Sequence, residues 1–339
     1  MSIHQLFCTV ADLIADMEKP GGDETRLLQA IRDASDVLQK EIGWFIPVTQ
    51  TTKLRGSGER FLHPHPPVLA LTGSVTEDSF SLTLDTEFSL CPAAWPNGPS
   101  VALEKRYGYN GWSCLNPDSI QIPSRAGLFE KSKDTGATVQ NTTSQDASTT
   151  SLVVSNGGKI ALGMILLIGS EQELVTEWGA TTVHVTDLNG AITASTDILT
   201  VVDGNKANIG EIIRAEFEQM RVKDIRSNQW YVDRGWNNTG AVTHADGTDI
   251  DVYRTVTVER AINGTTAAAH TTGTAISRYV APDDVVFLTK QIATLMINKA
   301  RGNYAGKTGN PELGEVYYHD VFPRYEIERV KANYMLGKL

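Results

Sequence analysis

Arg234-Gly235-Trp236-Asn237-Asn238-Thr239, followed by His244, Gly247-Thr248-Asp249-Ile250 and Tyr253, is repeated at once. The second copy reads Arg260-Ala261-Ile262-Asn263-Gly264-Thr265, then His270, Gly273-Thr274-Ala275-Ile276 and Tyr279. Every matched pair is 26 residues apart, without a gap. Self-similarity at a fixed spacing marks a duplicated structural unit and decides the fold before any single motif does. A second similarity lies upstream, about 47 residues apart: Gly163-Met164-Ile165, Glu171-Gln172-Glu173 and Leu174-Val175 against Gly210-Glu211-Ile212, Glu216-Phe217-Glu218-Gln219-Met220 and Val222. Unequal spacings of the front and back halves imply one unit inserted inside the other. The expectation is an outer β-module at residues 150–186 and 256–279, interrupted by an inner module at residues 194–253. Alternating Val and Thr at Thr181-Thr182-Val183-His184-Val185-Thr186 and Thr255-Val256-Thr257-Val258 predicts two strands at the seam, expected to pair with each other.

Outward from the repeat, residues 132–149 are rich in Ser, Thr, Gly, Asn and Asp and read as a linker. Both ends of the chain have helical period. Thr9, with Asp12 three residues on, forms a variant capping box for a short helix from Val10 to Met17. Asp23 caps a second helix. Its apolar face is Leu27, Ile31, Ala34, Leu38 and Ile42, and it stops at Gly43 before Trp44-Phe45-Ile46. Pro282, with Asp283 and Asp284 in the first turn, opens a third helix through Val285, Leu288, Ile292 and Met296 to about Tyr304. Pro323 opens the last one, with Ile327, Val330 and Tyr334 on one face. Between the first pair and the repeat, the stretch Phe61-Leu62-His63-Pro64-His65-Pro66-Pro67-Val68-Leu69-Ala70-Leu71 forbids a helix and implies a stiff, extended arm, flanked by short strands up to Ser119-Ile120-Gln121-Ile122-Pro123. The fold class expected is therefore α+β: a small helical bundle built from both chain ends (residues 1–131 and 280–339) with an extended β-arm, plus an inserted all-β repeat region of two nested modules.

The chain has 339 residues, with 30 Lys and Arg against 40 Asp and Glu, and a net charge of −10. That argues against a phosphate-binding cationic face. Residues 141–254 hold 8 basic and 15 acidic residues, so this part carries −7. Three cysteines without CxxC spacing fit a reducing compartment better than a disulfide framework. Met1 to Val10 has no signal-peptide pattern, and Ile160 to Ile168 is too short to cross a bilayer. No membrane partner is expected.

Candidate chemistry is sparse. His63 and His65 face the same way on an extended chain, as two metal ligands would, but lack a third; no metal is assigned. His244 and His270 recur at one repeat position and are expected to bond the loop backbone. Glu171, Glu173, Glu216 and Glu218 recur on strands and are expected to be solvated or paired with Arg234 and Arg260. Trp95, Trp112, Trp178, Trp230 and Trp236 offer sugar-stacking rings, with core or interface positions the simpler reading. No GxSxG, HExxH or Gly-rich phosphate loop occurs. Neither an enzyme nor a cofactor is expected.

The order of four segments is more informative: Leu27-Leu28-Gln29-Ala30-Ile31-Arg32-Asp33-Ala34-Ser35 with Trp44; Phe61 to Leu69; Leu84-Asp85-Thr86-Glu87-Phe88-Ser89-Leu90; and Pro282 to Tyr304, Tyr317 and Phe322-Pro323. This series resembles the head–tail connector (adaptor) proteins of tailed bacteriophages. The likeness covers about Ile3 to Ser124 and Val280 to Leu339; the nested insert departs from the family, whose members are usually much shorter. The resemblance implies a virion protein of the particle neck, a homo-oligomeric ring (commonly a dodecamer) between the portal protein and a tail-completion, stopper or tail-terminator protein, with DNA passing through the lumen unbound. Interface candidates under this reading are His63, Pro64, His65, Pro66, Pro67, Val68, Leu69 and Trp95 toward a neighbouring subunit or tail protein, and Tyr334, Met335, Leu336 and Leu339 toward the portal. A receptor- or glycan-binding decoration protein using the β-modules is the second expectation.

Overall fold

The computed structural model describes residues 2–15, 23–92, 98–106, 110–141, 145–179, 183–301, 307–310, 314–317 and 322–334. In chain order the elements are α1 (Val10–Ile14), α2 (Glu24–Glu41), β1 (Val48–Leu54), β2 (Phe61–Leu62), β3 (Val68–Leu71), β4 (Val75–Glu77), β5 (Phe80–Leu82), β6 (Phe88–Pro92), β7 (Ser100–Lys105) and β8 (Ile120–Ala126). Then follow β9 (Ser132–Thr138), β10 (Ser151–Val153), β11 (Ile165–Ile168), β12 (Glu171–Trp178), β13 (Val183–Asp187), β14 (Ile198–Thr200), β15 (Ile212–Ala215), β16 (Glu218–Arg226), β17 (Gln229–Asp233) and β18 (Asp249–Val252). The chain closes with β19 (Thr255–Glu259), β20 (Ala275–Tyr279), α3 (Asp283–Arg301), β21 (Lys307–Asn310), β22 (Gly314–Tyr317) and α4 (Arg324–Asn333).

The duplication is visible as two six-stranded antiparallel sheets of one topology. The outer sheet has the order β10-β19-β12-β11-β20-β9, and the inner one β14-β17-β16-β15-β18-β13. Registers match as well: Ile165 faces Leu174 as Ile212 faces Arg221, and Leu166 faces Arg278 as Ile213 faces Val252. The chain leaves the outer sheet after its fourth strand, β12, builds the whole inner sheet, and returns at β19 beside β12. The seam differs from expectation. β13 pairs with β18 and not with β19, so the inner sheet begins at Val183 rather than at residue 194. The expected linker also proves structural. Ser132–Thr138 is a strand on the edge of the outer sheet against β20, and Gln145 bridges His270. Small polar side chains satisfy an edge strand that needs to bury only one face. Here the buried residues are Ala137, Val139 and Gln145.

The expected helical bundle with a β-arm is overturned. The structure is mostly β, with three large antiparallel sheets and about 22% helix, in a β-sandwich-like arrangement. The helices do not enclose a core of their own. Leu27, Leu28, Ile31 and Leu38 of α2 and Ile292 of α3 share one buried cluster with Ile165, Leu166, Leu174, Val175 and Ile276 of the outer sheet. An amphipathic stripe reads the same whether it faces another helix or covers a sheet, and here the outer sheet supplies the second layer. The caps are as the sequence specifies: Thr9 and Asp12 form a reciprocal capping box, and Asp23 Oδ1 accepts from Thr25 N at 2.9 Å. Among the described residues no helix is long and apolar enough to cross a membrane.

The proline stretch is not a free arm either. Phe61–Leu62 and Val68–Leu71 are strands of the eight-stranded sheet, whose order is β2-β7-β3-β8-β4-β5, with β1 on β8 and β6 on β7. Pro64, Pro67 and Val68 are buried. Pro67, just before β3, still contributes its carbonyl, which accepts from Gly127 N at 3.0 Å. This sheet has its own core around Leu62, Val68, Phe88, Leu103, Trp112 and Ile122.

Two contacts fix the modules against the rest. Glu24, in the first turn of α2, accepts from Trp178 Nε1 of the outer sheet (2.6 Å) and Trp236 Nε1 of the inner module (3.2 Å). Gly158 lies against the inner module so closely that a Cβ would stand 2.5 Å from Ile209 O. Beside it, Glu211 accepts from Gly157 N and from Arg254.

Candidate functional site

The repeated motif builds two equivalent cages. After β17 and after β19 the chain must turn sharply, and left-handed residues provide the turn: Gly235, Asn237 and Asn238 in one copy, Ala261, Asn263 and Gly264 in the other. Gly and Asn tolerate this region best, which explains their recurrence. The turn aims an arginine and two backbone N–H groups at one glutamate. In the outer module Glu171 accepts from Arg260 Nε (2.8 Å) and Nη2 (2.7 Å), Ala261 N (3.0 Å), Ala268 N (2.8 Å) and His270 Nε2 (3.0 Å). In the inner module Glu218 accepts from Arg234 Nε and Nη2 (both 2.6 Å), Gly235 N and Val242 N (both 3.1 Å) and His244 Nε2 (2.9 Å). The remaining arginine donors bond Asp146 O and Thr149 O in one copy and Thr193 O and Thr196 O in the other.

Both glutamates are fully buried. Burial pushes the Glu171 carboxyl up, but the bonds from Arg260, Ala268 N and Ala261 N outweigh it and hold the group below its ordinary range. Glu218 is likewise raised by burial but pulled down to about 2 by Arg234, Val242 N and His244. Each cage is thus a buried ion pair whose oxygens are taken up by protein donors, a geometry that holds the turn onto the strand and leaves no lone pair for a ligand.

Arginine pairing was legible from the sequence, whereas the histidine's partner was not. His244 and His270 bond carboxylates and not the loop backbone, and His244 Nδ1 also meets Glu216 Oε2 at 2.8 Å. The four carboxylates are not equivalent. At the 47-residue spacing Glu171 matches Glu218, Glu216 falls at Gly169 in an exposed turn, and Glu173 falls at the buried Met220. Sequence reasoning also passed over Gln172 and Gln219. Their side-chain amide oxygens accept from Asn263 Nδ2 and Asn237 Nδ2 (both 2.9 Å), and their backbone N–H groups donate to Thr265 and Thr239 Oγ1. Their recurrence at the same spacing was the available signal.

The interface candidates separate into three groups. Pro64, Pro67 and Val68 are buried inside their own sheet and are withdrawn as contact residues. His63 and His65 are exposed, and Pro66 and Leu69 half-buried. His65 and Pro66 border a cleft of about 490 Å³ with Lys40, Ile42, Trp44 and Lys331, where the proline stretch meets α2 and α4. Tyr334 turns inward: its ring packs edge-on against Phe45 at 4.9 Å, and its hydroxyl donates to Asp284 Oδ1 at 2.8 Å. Trp95, Met335, Leu336 and Leu339 lie outside the described residues. Of the tryptophans considered as sugar platforms, Trp112, Trp230 and Trp236 are buried and Trp178 is held by Glu24. No protein-family model, no curated protein and no solved structure matches this chain, so its function has to be argued from the residues above.

Proposed function

We propose that the protein is a structural component of a tailed-phage particle, an adaptor that assembles as a ring between portal and tail around the DNA exit path. The reading rests on the ordered motif series of the two chain ends. One observation supports it: α2 packs against α3, and α4 against both, so the first and last parts of the chain close one helical layer. That layer lies on the outer sheet, with which it shares its buried core. The two cages support a mechanical role, because their charged groups are consumed in holding turns onto strands. Heterologous contacts around a closed ring would use the surface near His63, His65, Leu69 and the cleft beside Trp44. The acidic β-modules would face outward, and an acidic wall lets DNA pass without sticking.

Purified protein added to portal-bearing, tail-less heads is expected to appear in electron micrographs as a closed ring under the portal, with DNA affinity negligible at moderate salt. A chain that neither self-associates nor binds portal-bearing heads, but is retained on a glycan array, would sink the adaptor reading in favour of a decoration protein. Burial of Trp112, Trp230 and Trp236 counts against that second outcome.

A further inference from the structure

Aligning the two cages exposes one exchanged pair of core residues. In the inner module Ile192 bridges His244, and Met220 stands two positions beyond Glu218; both are buried. In the outer module the same places hold Gln145, which bridges His270, and Glu173, two positions beyond Glu171. Both are completely buried. An apolar pair has thus become a polar pair in the same sheet environment. Both carboxyl oxygens of Glu173 and the amide oxygen of Gln145 lack a hydrogen bond. Arg260 Nε is 2.8 Å from Glu173 Oε1, but its hydrogen is directed at Glu171 Oε1. The Gln145 amide lies within hydrogen-bonding reach of the Glu173 carboxyl.

Orphaned buried acceptors are costly, and two acceptors cannot satisfy each other. A protonated carboxyl has one O–H to donate, and that single proton turns the Glu173 and Gln145 orphans into one bond. We propose that Glu173 is held as a neutral acid bonded to Gln145, forming a proton-dependent clasp between β12 and the turn Gln145–Thr149. The groups facing it are Arg260 and Glu171 of the cage and His270, with Asp146 behind Arg260. Burial pushes the Glu173 carboxyl up to about 7, with Arg260 and the Gln145 amide opposing and the charge of Glu171 adding to the rise. A divalent cation at this point would sit beside the Arg260 guanidinium and against a Glu171 already accepting five hydrogen bonds, so the geometry favours the proton. The inference is independent of the adaptor reading.

The sign follows from linkage. A folded-state value above the ordinary 4.5 means the folded chain holds the proton more tightly. The stabilisation is complete below about 4.5 and is lost as pH rises to about 7. Urea unfolding of the wild type, Glu173→Gln and the double variant Gln145→Ile/Glu173→Met, at about pH 5 and about pH 8, tests it. The unfolding constant of the wild type relative to either variant should rise on the order of a hundredfold between the two conditions. The wild type should also show the infrared carbonyl band of a buried carboxylic acid, absent from both variants. A pH-independent ratio or a missing acid band would overturn the clasp. So would stabilisation of the wild type, but not of Glu173→Gln, by zinc, manganese or calcium at about pH 8, which would reassign the pair to a cation.

Discussion

Replacing Arg260 by methionine is expected to lower stability by about 3–5 kcal/mol, because the change leaves a buried carboxylate without its counter-charge. The side chain of Arg260 is 6% exposed and that of Glu171 0% exposed, so water cannot take over. Arg234→Met should act similarly on the inner module, where Glu218 is equally buried. Urea unfolding at neutral pH measures both losses, and a cost below about 1 kcal/mol for either would mean that the cage relaxes to admit solvent. Removing both charges together is informative as well. For an ordinary buried ion pair an apolar replacement is often neutral. Here Glu171 also accepts from Ala261 N and Ala268 N. The double variant Arg260→Met/Glu171→Met therefore should recover only part of the loss, since two backbone donors stay orphaned at about 1–3 kcal/mol each.

The two modules also differ in their response to pH. Glu218 is held at about 2 in the folded chain against an ordinary 4.5. Its contribution is full above about 4.5 and disappears as pH falls toward about 2. In the outer module Glu171 acts in the same sense as Glu218, and Glu173 adds an opposite contribution that is lost as pH rises to about 7. One exchanged residue pair in an otherwise duplicated core produces this asymmetry.

The duplication was legible because both cages need the same residue types at the same offsets: an arginine leaving a strand, left-handed Gly or Asn in the turn, a threonine to close it, and a histidine further on. The unequal spacings pointed to an interrupted unit, although the inner sheet starts at Val183 and not at residue 194; Thr9 and Asp23 were readable as helix caps from residue type, and Pro282 from its place before Asp283 and Asp284. What failed had physical causes. The periodicity of Leu27, Ile31 and Leu38 says that one face is buried, but not by what; the outer sheet and not a helical bundle covers it. His63-Pro64-His65-Pro66-Pro67 excludes a helix, yet proline-rich chain can also cross a sheet between two strands, and burial of Pro64 and Pro67 reflects that. Residues 132–149 looked like a linker because edge strands ask little of composition. The histidine partners were out of reach, since His270 and Glu171 meet across 99 positions of sequence. The 47-residue alignment sets Glu173 against Met220, but that the site is buried came only from the structure.

Glu24→Leu is expected to cost about 2–4 kcal/mol, although the residue belongs to neither module. Its two carboxylate oxygens are the acceptors for Trp178 Nε1 and Trp236 Nε1, which come from different modules. Leucine matches the size and removes both acceptors. Trp236 is 6% exposed, so its N–H is left buried and unpaired; Trp178 is half-buried and loses less. Glu24→Gln separates hydrogen bonding from shape. One amide oxygen can still accept, but the amide N–H₂ faces the second indole donor, so about half of the loss should remain. Tryptophan fluorescence follows the junction directly, because Arg221 stacks over the Trp236 ring at 5.2 Å and would shift with it. An unchanged spectrum together with a loss below about 1 kcal/mol would mean that apolar contacts around Ile212, Trp236 and Tyr253 hold the inner module without Glu24. A changed spectrum with both sheets intact by circular dichroism would identify Glu24 as the residue that joins the Trp178 and Trp236 indoles at the junction.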